Sequence, residues 1–552
     1  MTSTQQKSQT KQLNDFDAVV IGAGFSGLYM LHRLREAGFS TRVYEAAPDV
    51  GGVWYANRYP GARCDSESII YNYMFSEELY QEWTWSSRYP EQKEILSYLQ
   101  YVADKFELRR DIQFNIRIMS AHYDEETNRW KLETEDGTRV TAKYFITGVG
   151  NLSSSNIPKF YGFDSFEGEW YHTGHWPHEK VEFKGKRVGV IGTGSSGIQS
   201  IPVIAEEADH LFVFQRTPGY STPARNHPYD SEFIRQTKAN YSEIKRQTRE
   251  STAGYLHKLM NDRSALEDDL ELRQREYQKT WDRGGFGFGR TYNDLLINPD
   301  SNETAAEFIR SKIDETVKDP KVAELLKPTY YYAAKRPVLD TNYFETYNRE
   351  NVTLVDVKSA PIAEITPKGL KTSEAEYQLD MIVFATGYDG MTGPLFKIDI
   401  RGRDAISLKE KWAGGPQTRT YLGLANAGFP NMFMITGPES PSALSNVPVS
   451  IEQHVEWIGD CLEYVREHGI ETIEAKAEAE EAWSRHCREV AESTLYTKTD
   501  SWYNGANIEG KPRGFLIYVG GVGNYRKICD EVAAKGYEGF SFQTLSSRET
   551  IS

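Results

Sequence analysis

Three glycines, Gly22, Gly24 and Gly27, form GxGxxG at the end of the apolar run Ala18, Val19, Val20 and Ile21. LYMLHRLREAG follows, with Leu28, Leu31 and Leu34 at helical spacing, and TRVYEA then brings up Glu45. Strand, turn, helix, strand and acid is the order that sets a pyrophosphate on a helix N-terminus and a carboxylate on ribose hydroxyls. The first turn therefore predicts an FAD site. A second turn, Gly192, Gly194 and Gly197 in GTGSSG, follows the strand KRVGVIG. The next strand, HLFVFQRTP, ends in Arg216 and Thr217 where the first unit has its acid. A carboxylate there would repel a 2′-phosphate, whereas a guanidinium clamps it with two parallel hydrogen bonds. The second turn predicts NADPH, with a solvated strand-end charge as the alternative reading of Arg216. Two such sites on one chain predict a flavoprotein reduced by a nicotinamide.

Between the turns lies FEGEWYHTGHWP (166–177), with Phe166, Gly168, His172, His175, Trp176 and Pro177. His172, His175 and His178 suggest a base or a metal site. No cysteine or carboxylate cluster completes a ligand set, so no metal is expected. Trp176-Pro177 stops a helix, and the stretch reads as a linker leaving the first nucleotide domain.

These residues need a scaffold. AKYFITGVGN (142–151) and LDMIVFATGYDG (379–390) each read as a closing strand followed by a glycine. The fold class expected is α/β: two Rossmann-like dinucleotide domains, the second inserted in the first, with a helical insert. The expected order is a disordered tail (1–14), FAD domain (15–150), NADP domain (151–221), helical insert (222–330), NADP domain (331–388) and FAD domain (389–545). Within the insert, YSEIKRQTRE, LEDDLELRQREYQKTW and AAEFIRSKIDETV have helical spacing, and the insert reads as a cap on the NADP domain. GGFGFGR (284–290) reads as a flexible turn. A later amphipathic helix carries Ile451, Val455, Ile458, Leu462 and Val465 and stops at Gly469.

The chain has 552 residues, 39% of them hydrophobic, with no apolar run long enough to span a membrane. Its net charge of −15 argues against a nucleic-acid or anionic-membrane binder. Four scattered cysteines, Cys64, Cys461, Cys487 and Cys529, form no CxxC, and MTSTQQKSQTKQLND has no apolar core of a secretory signal. A reducing cytoplasm is the expected compartment, and no obligate protein partner is evident.

FEGEWYHTGHWP fits FxGxxxHxxxWP, and with GGVWY, NRYPGARCD, FQRTP, KEKW, SPSALSN and SWYNGAN the chain resembles the type I Baeyer–Villiger monooxygenases from about residue 15 to 540. The pattern is nearest the phenylacetone branch and similar to the steroid and cyclohexanone branches. The resemblance implies that NADPH reduces FAD, that O2 forms a C4a-peroxyflavin, and that a ketone becomes an ester or lactone, with some sulfoxidation. It also implies roles for particular positions. Arg336 is the permanent cation beside the reaction and Asp65 holds it. Lys335 joins Arg216 at the 2′-phosphate. Ser26, Val53, Trp54 and Tyr71 meet FAD, although Trp54 and Tyr71 also read as core. Thr193, Ser195, Ser196 and Gln199 line the NADP pyrophosphate, and Trp502 sits on a mobile loop over NADP. Asn151, Leu152, Ser442, Ala443, Leu444 and Val447 wall the ketone pocket. His172 is expected to hydrogen-bond across the hinge between the nucleotide domains.

The chain departs from the family pattern at Ala56, usually a tryptophan, in a longer GGPQTRTYLG (414–423), and at Val447-Pro448. These bear on substrate range. The rival functions are a flavin N- or S-oxygenase, an NADPH oxidase, or a nucleotide sensor without catalysis.

Overall fold

A computed structural model describes residues 14–544. The expected disordered tail lies outside the described residues except at Asn14, which opens the first strand.

Two sheets carry the nucleotide turns. The first has eight strands, with Asn14–Ile21 between Arg139–Thr147 and Thr41–Tyr44, all mutually parallel. Its central strand ends in four fully covered residues, as a strand buried on both faces requires. Late in the chain, Asp399–Arg401 joins one edge and Met432–Met434 pairs in parallel with Arg139–Thr147. The second sheet has five parallel strands in the order Val352–Asp356, His210–Gln215, Arg187–Ile191, Met381–Phe384 and Glu169–His172.

The fingerprint stretch is thus not a bare linker. Residues Glu169–His172 are the edge strand of the second sheet, paired with Met381–Phe384, and Trp176 is buried in that domain's core. The sequence reading missed this strand because it is only four residues long and its partner comes some two hundred residues later.

Each turn feeds a helix. In Phe25–Glu36, Leu28, Leu31 and Leu34 are wholly buried, worth roughly 1.5–3 kcal/mol apiece. Gly38 ends it in the left-handed region. Gly27 is required by packing: a Cβ there would lie 1.7 Å from the Gly22 carbonyl oxygen. Gly197 repeats this in Ser195–Glu207, with 2.3 Å to the Gly192 carbonyl oxygen.

The insert leaves and returns through a parallel pair, Ser221–Pro223 beside Val338–Asp340. It is more than a cap on the second sheet. Tyr241 and Ile244 also pack on Ile70, Met74 and Tyr80, which lie in the first sheet's part of the chain, and Arg249 pairs with Glu452 and Glu456. GGFGFGR is not a loose turn either: Gly285–Arg290 is a 3-10 helix with Phe288 fully buried among Tyr277, Phe308 and Tyr332. The expected tail helix runs Val447–Glu467.

Candidate active site

A cavity of about 1490 Å³ lies between the two sheets, and both glycine turns open into it. The helices that follow them start at Gly24 and Gly194, with no side-chain cap and no acid in the first turn. Free N–H groups and the positive end of a helix dipole thus face the cavity twice, as two bound pyrophosphates require. A Cβ on Gly194 would meet nothing within 4 Å, so the backbone there is bare to the cavity.

Glu45 reaches the first turn. Its carboxylate accepts the N–H groups of Ala23 and Ala47, both at 2.7 Å, and faces the cavity. Burial raises its pKa against the pull of those N–H groups. The remaining lone pairs are free for ribose hydroxyls. Val53 and Trp54 line the same wall, with Trp54 Nε1 donating to the Tyr71 hydroxyl at 3.0 Å. Ser26 and Tyr71 also line it, while Gly27 lies beneath the turn.

At the second turn, Thr193, Ser195 and Ser196 line the cavity; Thr193 donates to the Thr217 carbonyl at 3.1 Å and Ser196 meets Thr173. Gln199 lines the cavity as well, with its amide tied to the neighbouring loop. Its Oε1 accepts the Tyr59 hydroxyl and its Nε2 donates to the Arg63 carbonyl, stitching the second helix to the NRYPGAR loop. Arg216 and Thr217 are exposed beside Lys335, whose ammonium rests 4.6 Å from the Tyr330 ring centre. Burial, then Arg216, pulls the Lys335 pKa down. Two neighbouring cations at a cavity wall fit a phosphate monoester.

Arg336 stands two residues before the strand Val338–Asp340. Its Nε and one terminal nitrogen donate to Asp65 Oδ2 at 2.9 and 2.8 Å, and the other donates to the Ala443 carbonyl at 3.0 Å. Phe286 lies under the guanidinium, 5.4 Å from ring centre to carbon. Burial opposes the charge, but Asp65, Tyr255 and Tyr503 more than offset it and raise the pKa further above its ordinary value. The cation is permanent, and a quarter of its side chain is open to the cavity.

Of the expected ketone wall, Asn151, Leu152, Ala443 and Val447 line the cavity. Ser442 and Leu444 do not. Ser442 is buried behind the wall, where its hydroxyl accepts Asn151 Nδ2 at 3.0 Å, and Leu444 packs with Met391, Trp502 and Leu516. Trp502 lines the cavity. Of the fingerprint residues, only Trp176 among those expected does so, with His175 and His178 nearby. Phe166 packs with Phe384, and Gly168 is forced by Asp380, whose carbonyl oxygen would lie 2.5 Å from a Cβ.

His172 Nδ1 accepts the Gly174 N–H at 2.9 Å within its own turn, and the ring also meets the backbone of Asn156 and Gly387. Burial, then His175, pushes its pKa down to about 4, so the ring is neutral near pH 7. No group of three metal-ligating side chains occurs among the described residues.

Sequence reasoning missed Phe286 and Tyr255 of the insert. Tyr255 meets the Ser66 hydroxyl at 2.9 Å and stacks edge-on against Phe286. The signal was present in the aromatics interleaved with glycines at 284–290.

A family model described as flavin-binding monooxygenase-like matches residues 17–280. A Baeyer-Villiger monooxygenase of Pseudooceanicola batsensis is 47% identical over 96% of this chain and 97% of its own length. A phenazine N-monooxygenase of Lysobacter antibioticus is 44% identical over 95% of this chain and 96% of its own. An oxidized steroid monooxygenase bound to NADP, solved as a structure, is 51% identical, with a TM-score of 0.91 over 96% of this chain and 99% of that one.

Proposed function

The chain belongs to the type I Baeyer–Villiger monooxygenases, FAD- and NADPH-dependent oxidoreductases, and from that premise we propose that its cavity oxygenates a small ketone with O2 beside Arg336. The observation that carries this reading is the Arg336–Asp65 pair, a permanent cation held at two points with its free face on the cavity.

Bound in the two turns, FAD supplies oxygen activation and NADPH supplies the hydride. The chain supplies the rest. The helix N-termini at Gly24 and Gly194 and the acid Glu45 orient the two nucleotides. Arg216 and Lys335 select the phosphorylated ribose. As the ketone carbon becomes tetrahedral, its oxygen gains negative charge. The Arg336 guanidinium keeps its protons and stabilises that oxygen, an effect worth roughly 3 kcal/mol per well-placed donor. Asp65 and the Ala443 carbonyl fix the guanidinium plane, so no reorganisation is needed during reaction. Asn151, Leu152, Ala443 and Val447 hold the ketone and exclude water. His172, neutral and bonded within its own turn, is assigned a structural part.

Some oxidation of sulfides fits the same site. N-oxygenation is a second reading, supported by the relatedness to phenazine N-monooxygenase. The reading places the enzyme in the cytoplasm, supported by four cysteines that are all free and buried. No helix among the described residues is long and apolar enough to cross a membrane.

The test is NADPH consumption over panels of ketones, sulfides and heteroaromatic amines, with products identified by mass. Ester or lactone from a ketone is the expected result. N-oxides alone would favour the second reading, and hydrogen peroxide alone would overturn both.

A further inference from the structure

Five side chains close a circuit around one stretch of the cavity wall. Asp65 holds the Arg336 guanidinium, and Phe286 lies under it. Tyr255 meets Phe286 edge-on, with ring centres 5.8 Å apart, and its hydroxyl sits 2.9 Å from that of Ser66. Ser66 follows Asp65 in the chain and closes the circuit. Asp65, Ser66 and Arg336 line the cavity, and Phe286 and Tyr255 stand behind them. Ser66 therefore shares this stretch of wall with the guanidinium.

The hydroxyl pair has a preferred direction. A phenol is a far stronger acid than an alkyl alcohol, so Tyr255 is the better donor. Burial raises the Tyr255 pKa, and Arg336, the next influence, works against that by favouring negative charge on the phenol oxygen. That pull strengthens the phenol as a donor. Ser66 thus accepts from Tyr255 and keeps its own hydrogen to give elsewhere. The Cys64 sulfur also meets the Ser66 hydroxyl, but it is a weak acceptor. Ser66 is only 2% exposed, so water competes little for its hydrogen. An oxygen bound against Arg336 is the stronger acceptor, the more so as it gains negative charge.

We propose that the Ser66 hydroxyl is a second hydrogen-bond donor to the ketone oxygen beside Arg336, and that Tyr255 is the positioning residue that turns it there. Arg336 supplies the charge, and Ser66 supplies a neutral donor. Two donors converging on one oxygen hold the carbonyl in one orientation, which a single guanidinium does not enforce. Through Tyr255 the insert takes part in the reaction although it carries no nucleotide turn. The inference rests on the cavity being a ketone-oxygenating site.

The test uses the full-length FAD-loaded enzyme and four variants, Ser66→Ala, Ser66→Thr, Tyr255→Phe and the double variant Ser66→Ala/Tyr255→Phe. The first readout needs no turnover: the infrared carbonyl stretch of a carbonyl-labelled ketone bound to the oxidised enzyme with NADP+. Each hydrogen bond lowers that frequency, so it should rise in Ser66→Ala and stay at the parent value in Ser66→Thr, which keeps the hydroxyl. The second readout is ester formation. Its kcat should fall about 10–100-fold in Ser66→Ala, with the ketone KM within about threefold of the parent. Tyr255→Phe should fall less, and the double variant should be no worse than Ser66→Ala, because the two residues act through one hydroxyl. An unmoved carbonyl stretch in Ser66→Ala, additive losses in the double variant, or an equal fall in flavin reduction would overturn the proposal. Should Tyr255→Phe not fold, the smaller changes at Ser66 decide it. An enzyme that makes no ester would sink the proposed reaction, while the infrared shift still decides whether Ser66 meets a bound carbonyl. A panel in which no ketone binds would sink both.

Discussion

Replacing Arg336 by alanine removes three hydrogen bonds at once, two onto Asp65 and one onto the Ala443 carbonyl. Asp65 loses the single ion-pair partner it has among the described residues. Breaking a deeply buried pair costs about 3–5 kcal/mol; with about a fifth of Asp65 open to the cavity, roughly 1–3 kcal/mol is the discounted figure. The protein should therefore still fold and bind FAD. The chemical loss is larger: one preorganised donor to a developing oxyanion is worth about 10²–10³ in rate, and alanine supplies none. Lysine keeps the charge but cannot span Asp65 and Ala443 together, so Arg336→Lys should fall between parent and alanine. The assay is stopped-flow reduction of the flavin by NADPH, followed by ester yield from a turned-over ketone. Reduction should stay within tenfold of the parent in both variants while ester formation falls by about 10² or more in Arg336→Ala. Ester formed at the parent rate would remove Arg336 from the chemistry. An equal fall in reduction and oxygenation would move its role to the nicotinamide step.

Arg216→Gln should lower kcat/KM for NADPH by about 10–100-fold, the worth of a charge-assisted pair, and leave NADH untouched; a parallel loss with both would refute the 2′-phosphate assignment. Gly27→Ala forces a Cβ into the Gly22 carbonyl oxygen at 1.7 Å, so the purified variant should lack flavin absorbance; a yellow, active variant would refute the packing argument. Glu439 is buried, with one carboxylate oxygen accepting Thr420 N–H, Thr420 hydroxyl and Ser484 hydroxyl, and burial pushes its pKa up to about 7. Between its ordinary value and 7 the folded protein keeps a proton that the unfolded chain has released. Stability therefore falls as pH rises through that window, by about 3 kcal/mol from this group. Glu439→Gln should lack this share of the slope, gaining on the parent between pH 5 and 8 in thermal melts; parallel Tm curves would refute it.

Both nucleotide turns were legible because their signal is local: strand, glycines, helix and acid lie within some thirty residues. The Arg336–Asp65 pair was not legible from spacing, since the partners are 271 residues apart, and it came only through the family motif. Phe286 escaped because glycines on either side of an aromatic read as a turn, while its role depends on the insert folding back beneath Arg336. Ser442 and Leu444 share one 3-10 turn with Ala443, but only one side of that turn can face the cavity, and a motif does not say which. Glu169–His172 was missed because its partner strand comes some two hundred residues later.

The strand Met432–Met434 completes the first sheet beside Phe145, Ile146 and Thr147, yet it follows them by roughly 290 residues. On a ribosome adding about 5–20 residues per second, the sheet therefore waits on the order of 15–60 s with that edge unpaired. The whole second domain and its insert emerge and can fold during the interval. Synthesis thus imposes an order of assembly: the inner domain matures first, and the outer one closes around it only when its last strands arrive. During that wait the half-built sheet leaves residues 145–147 without their partner strand, an open backbone edge of the kind that invites aggregation.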